Sequence, residues 1–202
     1  MALKLAKKGN VIALNKGVKY AMIGLGWECG TQKVDLDASA FLLGADGKCP
    51  SEDDIIFYNM EAQDKTHYSG SVRYGGDSLT GSNGSTDDEN IFIDFDKIPD
   101  HITTIDIAVT IYKWKKRHQT FGLVKKAYCR VVSTDSNFRP DGNEELRFEL
   151  KDDSPRATAM LMAQLIKTGN TWSFKAVGQE YVNAGLATLI RDRGLECDNG
   201  DD

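Results

Sequence analysis

The chain has 202 residues, with 25 Lys and Arg against 30 Asp and Glu, a formal net charge of −5, 41% hydrophobic and 27% charged residues. That length supports one buried core without disulfides or a structural metal, and the acidic balance excludes unspecific binding to nucleic acid. No apolar run approaches the roughly 20 residues of a membrane-spanning helix, so a helical membrane protein is not expected.

The first residues, MALKLAKKGNVIALNKG, mix lysines into the apolar positions and offer no small-residue cleavage site. A signal peptide is not expected, and the expected location is the cytosol. Apolar runs follow at 18–25, 36–43 and 55–58. Alternation with period two then dominates. Ile91, Ile93 and Phe95 share one face, as do Ile105, Ile107, Val109 and Ile111. A run at 127–132 precedes two further alternating stretches, Leu146, Phe148 and Leu150, then Trp172, Phe174 and Ala176. Half-buried strands separated by turns predict a mainly β fold, a sandwich of two sheets, rather than a parallel α/β sheet.

Two helices are expected near the C-terminus, among a few peripheral ones. The first runs from the Ser154-Pro155 start signal to Gly169, with Ala157, Leu161 and Leu165 at i, i+4, i+8. The second spans roughly Val182–Arg193, using Val182, Leu186 and Ile190 before Gly194. Residues 1–195 read as one domain. The tail 196–202 has four acids and no base and is expected to be disordered.

Charge is unevenly placed. Asp77 to Asp106 holds eight acids and one base, whereas Lys113 to Arg130 holds seven bases and no acid. Each block is a solvated face or an attractor, the first for a cation and the second for an anionic partner. The cysteines, Cys29, Cys49, Cys129 and Cys197, and the histidines, His67, His101 and His118, are isolated from one another. A zinc site of close ligand pairs is therefore not expected, and free thiols are.

Two acidic stretches carry the chemistry. In an extended chain, Asp35, Asp37 and Ser39 point to one side of an otherwise apolar strand. Carboxylates near a core need compensation, and a cation supplies it. The second stretch, residues 75–89, alternates glycines with Asp77, Ser78, Thr80, Asn83, Ser85, Asp87, Asp88 and Glu89. Hard oxygens in irregular geometry suit calcium, and magnesium shares the preference. The spacing is not that of an EF-hand, because Leu79 stands at the third position and no glycine at the sixth. A soluble hairpin loop with ordinary hydrogen-bonded aspartates is the alternative. No Walker A loop, GxSxG elbow or HExxH pair is present.

These residues resemble the TerD family of tellurite-resistance and bacterial stress proteins. The resemblance rests on Gly24-Leu25-Gly26-Trp27, on Asp35-Leu36-Asp37-Ala38-Ser39 and on Ile56-Phe57-Tyr58-Asn59. It continues through Gly76-Asp77-Ser78-Leu79-Thr80-Gly81, Asp87-Asp88-Glu89, Phe121-Gly122 and Ala176-Val177-Gly178-Gln179. It implies a β-sandwich with a few helices and calcium held by acidic loops at one end. Asp35, Asp37, Asp77, Asp87, Asp88 and Glu89 fall on family acids, and Ser78 and Asn83 join them as candidate ligands. Ser78 replaces the family's usual asparagine, and fewer acids precede the Asp-Asp-Glu run, which should weaken cation affinity. The resemblance further implies a stress or tellurite-resistance role without enzyme activity. It also implies other Ter proteins as partners, a membrane-embedded one among them, and a peripheral position at the inner membrane. Alternatives are a binder of cyclic AMP or another small ligand, a metal-dependent hydrolase using the same carboxylates, and thiol capture of tellurite.

Overall fold

The computed structural model describes residues 4–15, 17–60, 63–76, 87–150 and 155–197. Its strands are β1 (Lys4–Ala6), β2 (Val11–Ala13), β3 (Tyr20–Cys29), β4 (Leu36–Leu43), β5 (Ile55–Phe57), β6 (Val72–Tyr74), β7 (Glu89–Asp94), β8 (Thr104–Ile111), β9 (Val124–Thr134), β10 (Pro140–Leu150), β11 (Ala157–Thr168) and β12 (Thr171–Val182). Two short helices are α1 (Trp114–Arg117) and α2 (Leu186–Asp192). The strands form two six-stranded sheets, a front sheet in the order β1-β10-β9-β3-β7-β6 and a back sheet in the order β2-β12-β11-β8-β4-β5. This is the expected sandwich, and every run read as a strand overlaps one, although Val18, Tyr58 and Phe95 fall just outside.

The alternation sets the faces. Ile105, Ile107, Val109 and Ile111 of β8 point between the sheets, with Leu36, Ala38, Ala40 and Leu42 of β4 beside them. The front sheet answers with Ala21, Ile23 and Leu25 of β3, Ile91 and Ile93 of β7, and Cys129 and Val131 of β9. The central strands of the back sheet, β4, β8 and β11, are buried on both faces. Phe41 and Leu43 of β4, Ala108 of β8 and Ala159 of β11 pack outward against Ala184, Leu189 and Ile190 of α2 and its approach. On the front sheet, the outward positions of β9 and β10 instead carry Tyr128, Arg130, Glu144 and Arg147.

The helix expected over residues 154–169 is wrong: from Ala157 the chain is β11, a central strand between β12 and β8. Two features imitated a helix. The strand is buried on both faces, so ATAMLMAQLI reads as a near-continuous apolar run with no polar alternation. Register breaks between Ala157 and Ala159 and between Leu161 and Ala163 also disturb the period of two. Gly169 is not a helix stop; with Asn170 it makes the two-residue turn between Thr168 and Thr171. Ser154, the expected cap, lies outside the described residues, as does the tail from residue 198. The second expected helix is present as α2, shortened because Val182 still belongs to β12.

Candidate cation site at the acidic end

Trp27, near the end of β3, organises the acidic end of the sandwich. Its backbone N–H donates to Asp88 Oδ2 at 2.9 Å, and its indole Nε1–H donates to the Val34 carbonyl at 3.2 Å. Glu89 opens β7 on the same inward parity as Ile91 and Ile93. Its side chain crosses the sandwich and accepts a hydrogen bond from the Ala38 amide of β4. Ala38 lies just beyond the stretch of β4 paired with β5, so Glu89 closes a ladder position that β5 leaves open. Two stretches fifty residues apart in sequence thus meet at one end, and Asp35, Asp37, Asp88 and Glu89 are all buried there, at 4%, 5%, 9% and 1% exposure.

Two of the predicted ligands already hold a cation from the chain. Asp35 Oδ2 accepts from Arg117 Nη1 at 3.2 Å, and the Arg117 guanidinium lies 5.0 Å over the Tyr112 ring. Asp87 takes the Arg130 fork, Nε to Oδ1 at 2.8 Å and Nη2 to Oδ2 at 2.9 Å, with the Tyr128 hydroxyl donating at 2.9 Å. Burial works against the Arg130 charge, but the bonds to Asp87 and Glu144 outweigh it and raise its pKa. Burial and the Asp87 charge push the Tyr128 hydroxyl up, so it stays a donor. Gly24 and Gly26 make this possible. A Cβ on Gly24 would stand 2.2 Å from Asp87 Oδ2, and one on Gly26 would stand 2.4 Å from the Tyr128 ring. The Gly-Leu-Gly-Trp motif is therefore a bed for Asp87 and Tyr128 followed by the Trp27 anchor.

Asp77, Ser78 and Asn83 lie outside the described residues. Among the described residues, no three His, Cys, Asp or Glu side chains converge as a metal-binding group. The buried acids at this end carry hard carboxylate oxygens, the kind calcium and magnesium take. Beside them a cavity of about 260 Å³ opens between the back sheet and α2, lined by Asp37, Tyr58, Thr110, Tyr112 and Trp114 among others.

Sequence reasoning missed both arginine clamps and a third cluster. His67 Nδ1 accepts from the Ser69 amide at 3.2 Å, which leaves its Nε2–H to donate to Asp54 Oδ1 at 3.1 Å. Ser69 and Ser71 complete the network through their hydroxyls. His67, Asp54 and Ser71 are 2%, 1% and 0% exposed. The four cysteines are free, and burial pushes the Cys49 thiol up to about 12 and raises Cys29 and Cys129 too.

The TerD domain pattern matches residues 1–192. The chain belongs to the TerD family. It is 39% identical to the tellurium resistance protein TerD of Serratia marcescens, covering 98% of this chain and 100% of that one. It is 37% identical to general stress protein 16U of Bacillus subtilis, covering 97% and 99%. A solved homologue of telluride resistance protein (TerD) from Streptomyces coelicolor A3(2) superposes with a TM-score of 0.65 at 18% identity, over 90% of this chain and 100% of that one, and shows the common fold. These TerD-family relatives carry tellurium-resistance and stress-response names. Among the described residues, no helix is long and apolar enough to cross a membrane.

Proposed function

We propose that this TerD-family chain is a calcium-dependent, non-enzymatic binding module of the stress and tellurium response, acting in the cytoplasm or against the inner membrane with other Ter proteins. One observation carries the reading. Asp88 and Glu89 fold back onto the segment of Asp35 and Asp37 through the Trp27 and Ala38 amides, so buried carboxylates from two distant stretches share one end. Several carboxylates brought to one end of a sandwich favour a divalent ion as shared counter-charge. Asp37, Asp88 and Glu89 are the candidate ligands among the described residues, where they do not by themselves form a metal-binding group, and Asp77, Ser78 and Asn83 would complete the set. Asp87 and Asp35 serve as arginine-held supports. Magnesium is the weaker occupant, since it demands near-octahedral geometry and gives up its waters reluctantly.

Calorimetric titration of chelator-stripped protein tests this. Calcium is expected to bind with measurable heat and to raise the melting temperature by mass action. Asp37→Asn and Asp88→Asn should each weaken binding by about tenfold or more, since ligand charge tunes affinity. No heat and no thermal shift with either ion would overturn the reading.

The cavity of about 260 Å³ beside Asp37 favours a small-ligand module as the second reading, and equilibrium dialysis against cyclic AMP decides it. A hydrolase gains little support from the His67, Asp54 and Ser71 cluster, whose reacting atoms would be sealed from substrate. Direct thiol capture gains little too, because burial disfavours the thiolates of Cys29, Cys49 and Cys129.

A further inference from the structure

The acidic end of the sandwich is basic on its outside. Two stretches meet there, residues 28–35 from the end of β3 to the start of β4, and residues 112–126 from the end of β8 into β9. Together they hold seven Lys and Arg against two acids, Glu28 and Asp35. Each acid is already paired, Glu28 with Lys126 at 3.3 Å and Asp35 with Arg117 at 3.2 Å. Lys33, Lys115, Lys116 and Lys125 are exposed, and among the described residues none of them forms an ion pair. Backbone contacts bind the two stretches into one surface. The Gly30 amide donates to the Leu123 carbonyl at 3.2 Å, and the Gln119 side-chain amide donates to the Lys33 carbonyl at 2.8 Å. The Lys125 stem passes over Gly30, with Cε 3.6 Å from where a Cβ would stand.

The α1 turn presents two of these lysines. It is flanked by Lys113 at φ +51° and His118 at φ +52°, left-handed conformations that cost residues with a side chain free energy. Trp114 packs against the core, while Lys115 and Lys116 beside it stay exposed. Four unpaired like charges on one surface repel one another and add nothing to the fold, so their placement points to a partner of opposite sign.

We propose that this crown of lysines is a docking surface for an anionic lipid bilayer. The kind of base decides the occupant. Nucleic acid is gripped by arginine forks and by rings free to stack on bases. Here Arg117 is spent on Asp35. Tyr112 already holds the Lys113 ammonium at 4.9 Å and the Arg117 guanidinium at 5.0 Å and meets the Tyr58 ring edge-on at 5.9 Å. What remains free is lysine, a compact point charge on a flexible stem that asks for no fixed geometry. A fluid layer of anionic headgroups offers such charges a field, worth about fivefold in affinity for each lysine near the surface. Resting on the membrane part of the reading above, the crown gives the chain a lipid contact of its own, one that needs neither calcium nor another Ter protein.

Vesicle sedimentation of the full chain in chelator, at about 0.1 M salt where the Debye length is about 10 Å, tests this. Vesicles of phosphatidylcholine with phosphatidylglycerol are expected to bind, vesicles of phosphatidylcholine alone are not, and binding should fall as salt rises. Lys115→Gln with Lys116→Gln should lose about twentyfold, and Lys33→Gln with Lys125→Gln a similar factor. These side chains are exposed and unpaired, so both variants keep the wild-type melting temperature. Lys19→Gln with Arg139→Gln removes the same charge at the opposite end of the sandwich, more than a Debye length away, and should change affinity by less than about twofold. No binding to phosphatidylglycerol vesicles, or equal losses in the crown and control variants, overturns the docking surface. A single-stranded oligonucleotide that binds as tightly as the vesicles overturns lipid as its occupant. A silent calcium titration with vesicle binding intact strikes the calcium reading alone and supports the crown.

Discussion

Arg193 and Arg73, on the two outer faces of the sandwich, are held in opposite ways. On the back sheet, Arg193 is 4% exposed, lies 4.3 Å over the Phe41 ring and gives Nη2 to Asp106 at 2.6 Å and Nη1 to the Leu189 carbonyl at 2.9 Å. Gln164 takes the other Asp106 oxygen at 2.9 Å. On the front sheet, Arg73 of β6 lies 5.0 Å over the Phe92 ring and 5.2 Å over the Phe138 ring, and among the described residues no acid pairs with it. The difference follows from what covers each face. The apolar side of α2 excludes water from the back sheet, where an unpaired charge would be intolerable, so its partners are all internal. Arg73, half-buried on the front face, stays within reach of water and can do without an acid.

The largest effect is expected where the comparison is sharpest. Arg193→Met should cost about 3–5 kcal/mol in urea unfolding, because it strands Asp106 among apolar side chains. Adding Asp106→Leu should recover much of that loss, and a double variant as unstable as the single one would show that Arg193 acts through packing alone. Next comes the bed beneath Asp87. Gly24→Ala should cost about 1–3 kcal/mol, since the Asp87–Arg130 pair has to move to admit a methyl group. A stability equal to wild type would mean that the front face is looser than its glycines suggest.

A smaller effect is expected from pH. Burial would raise the Glu144 pKa, but hydrogen bonds from Arg147 and Arg130 outweigh it and lower it below 4.5. A depressed carboxyl adds stability above its ordinary pKa and loses it as pH falls through the folded value. The front-face network should therefore weaken below pH 4.5, and Glu144→Gln should flatten that part of the stability curve. A curve equally steep in the variant would assign the acid sensitivity elsewhere. The smallest effect belongs to the exposed pair of Lys19 and Asp96, 3.0 Å apart, where Lys19→Ala should leave the unfolding midpoint unchanged.

Much of this was legible in the chain itself. Strands with one polar face, such as β8 and β7, declare themselves by alternation, and the acidic segments declare themselves by charge in apolar surroundings. β11 hid because burial on both faces removes the polar half of the signal and its bulges break the rest. The partners of the acids hid for another reason. Arg130 stands 43 residues from Asp87, and only the pairing of β3 with β7 and β9 brings them over the same glycine. The Arg73 stack likewise depends on a hairpin turn in which Phe138 takes a conformation that side-chain periodicity does not encode.

The reach of Glu89 from one sheet to the Ala38 amide of the other gives the acidic end a particular timing. Neither sheet alone contains that corner; it exists only after the halves have docked. A chain emerging from synthesis, or loosened by damage, has no such corner to offer. A ligand of that corner would therefore select finished molecules and hold them in that state, acting as an inspector of assembly as well as cargo.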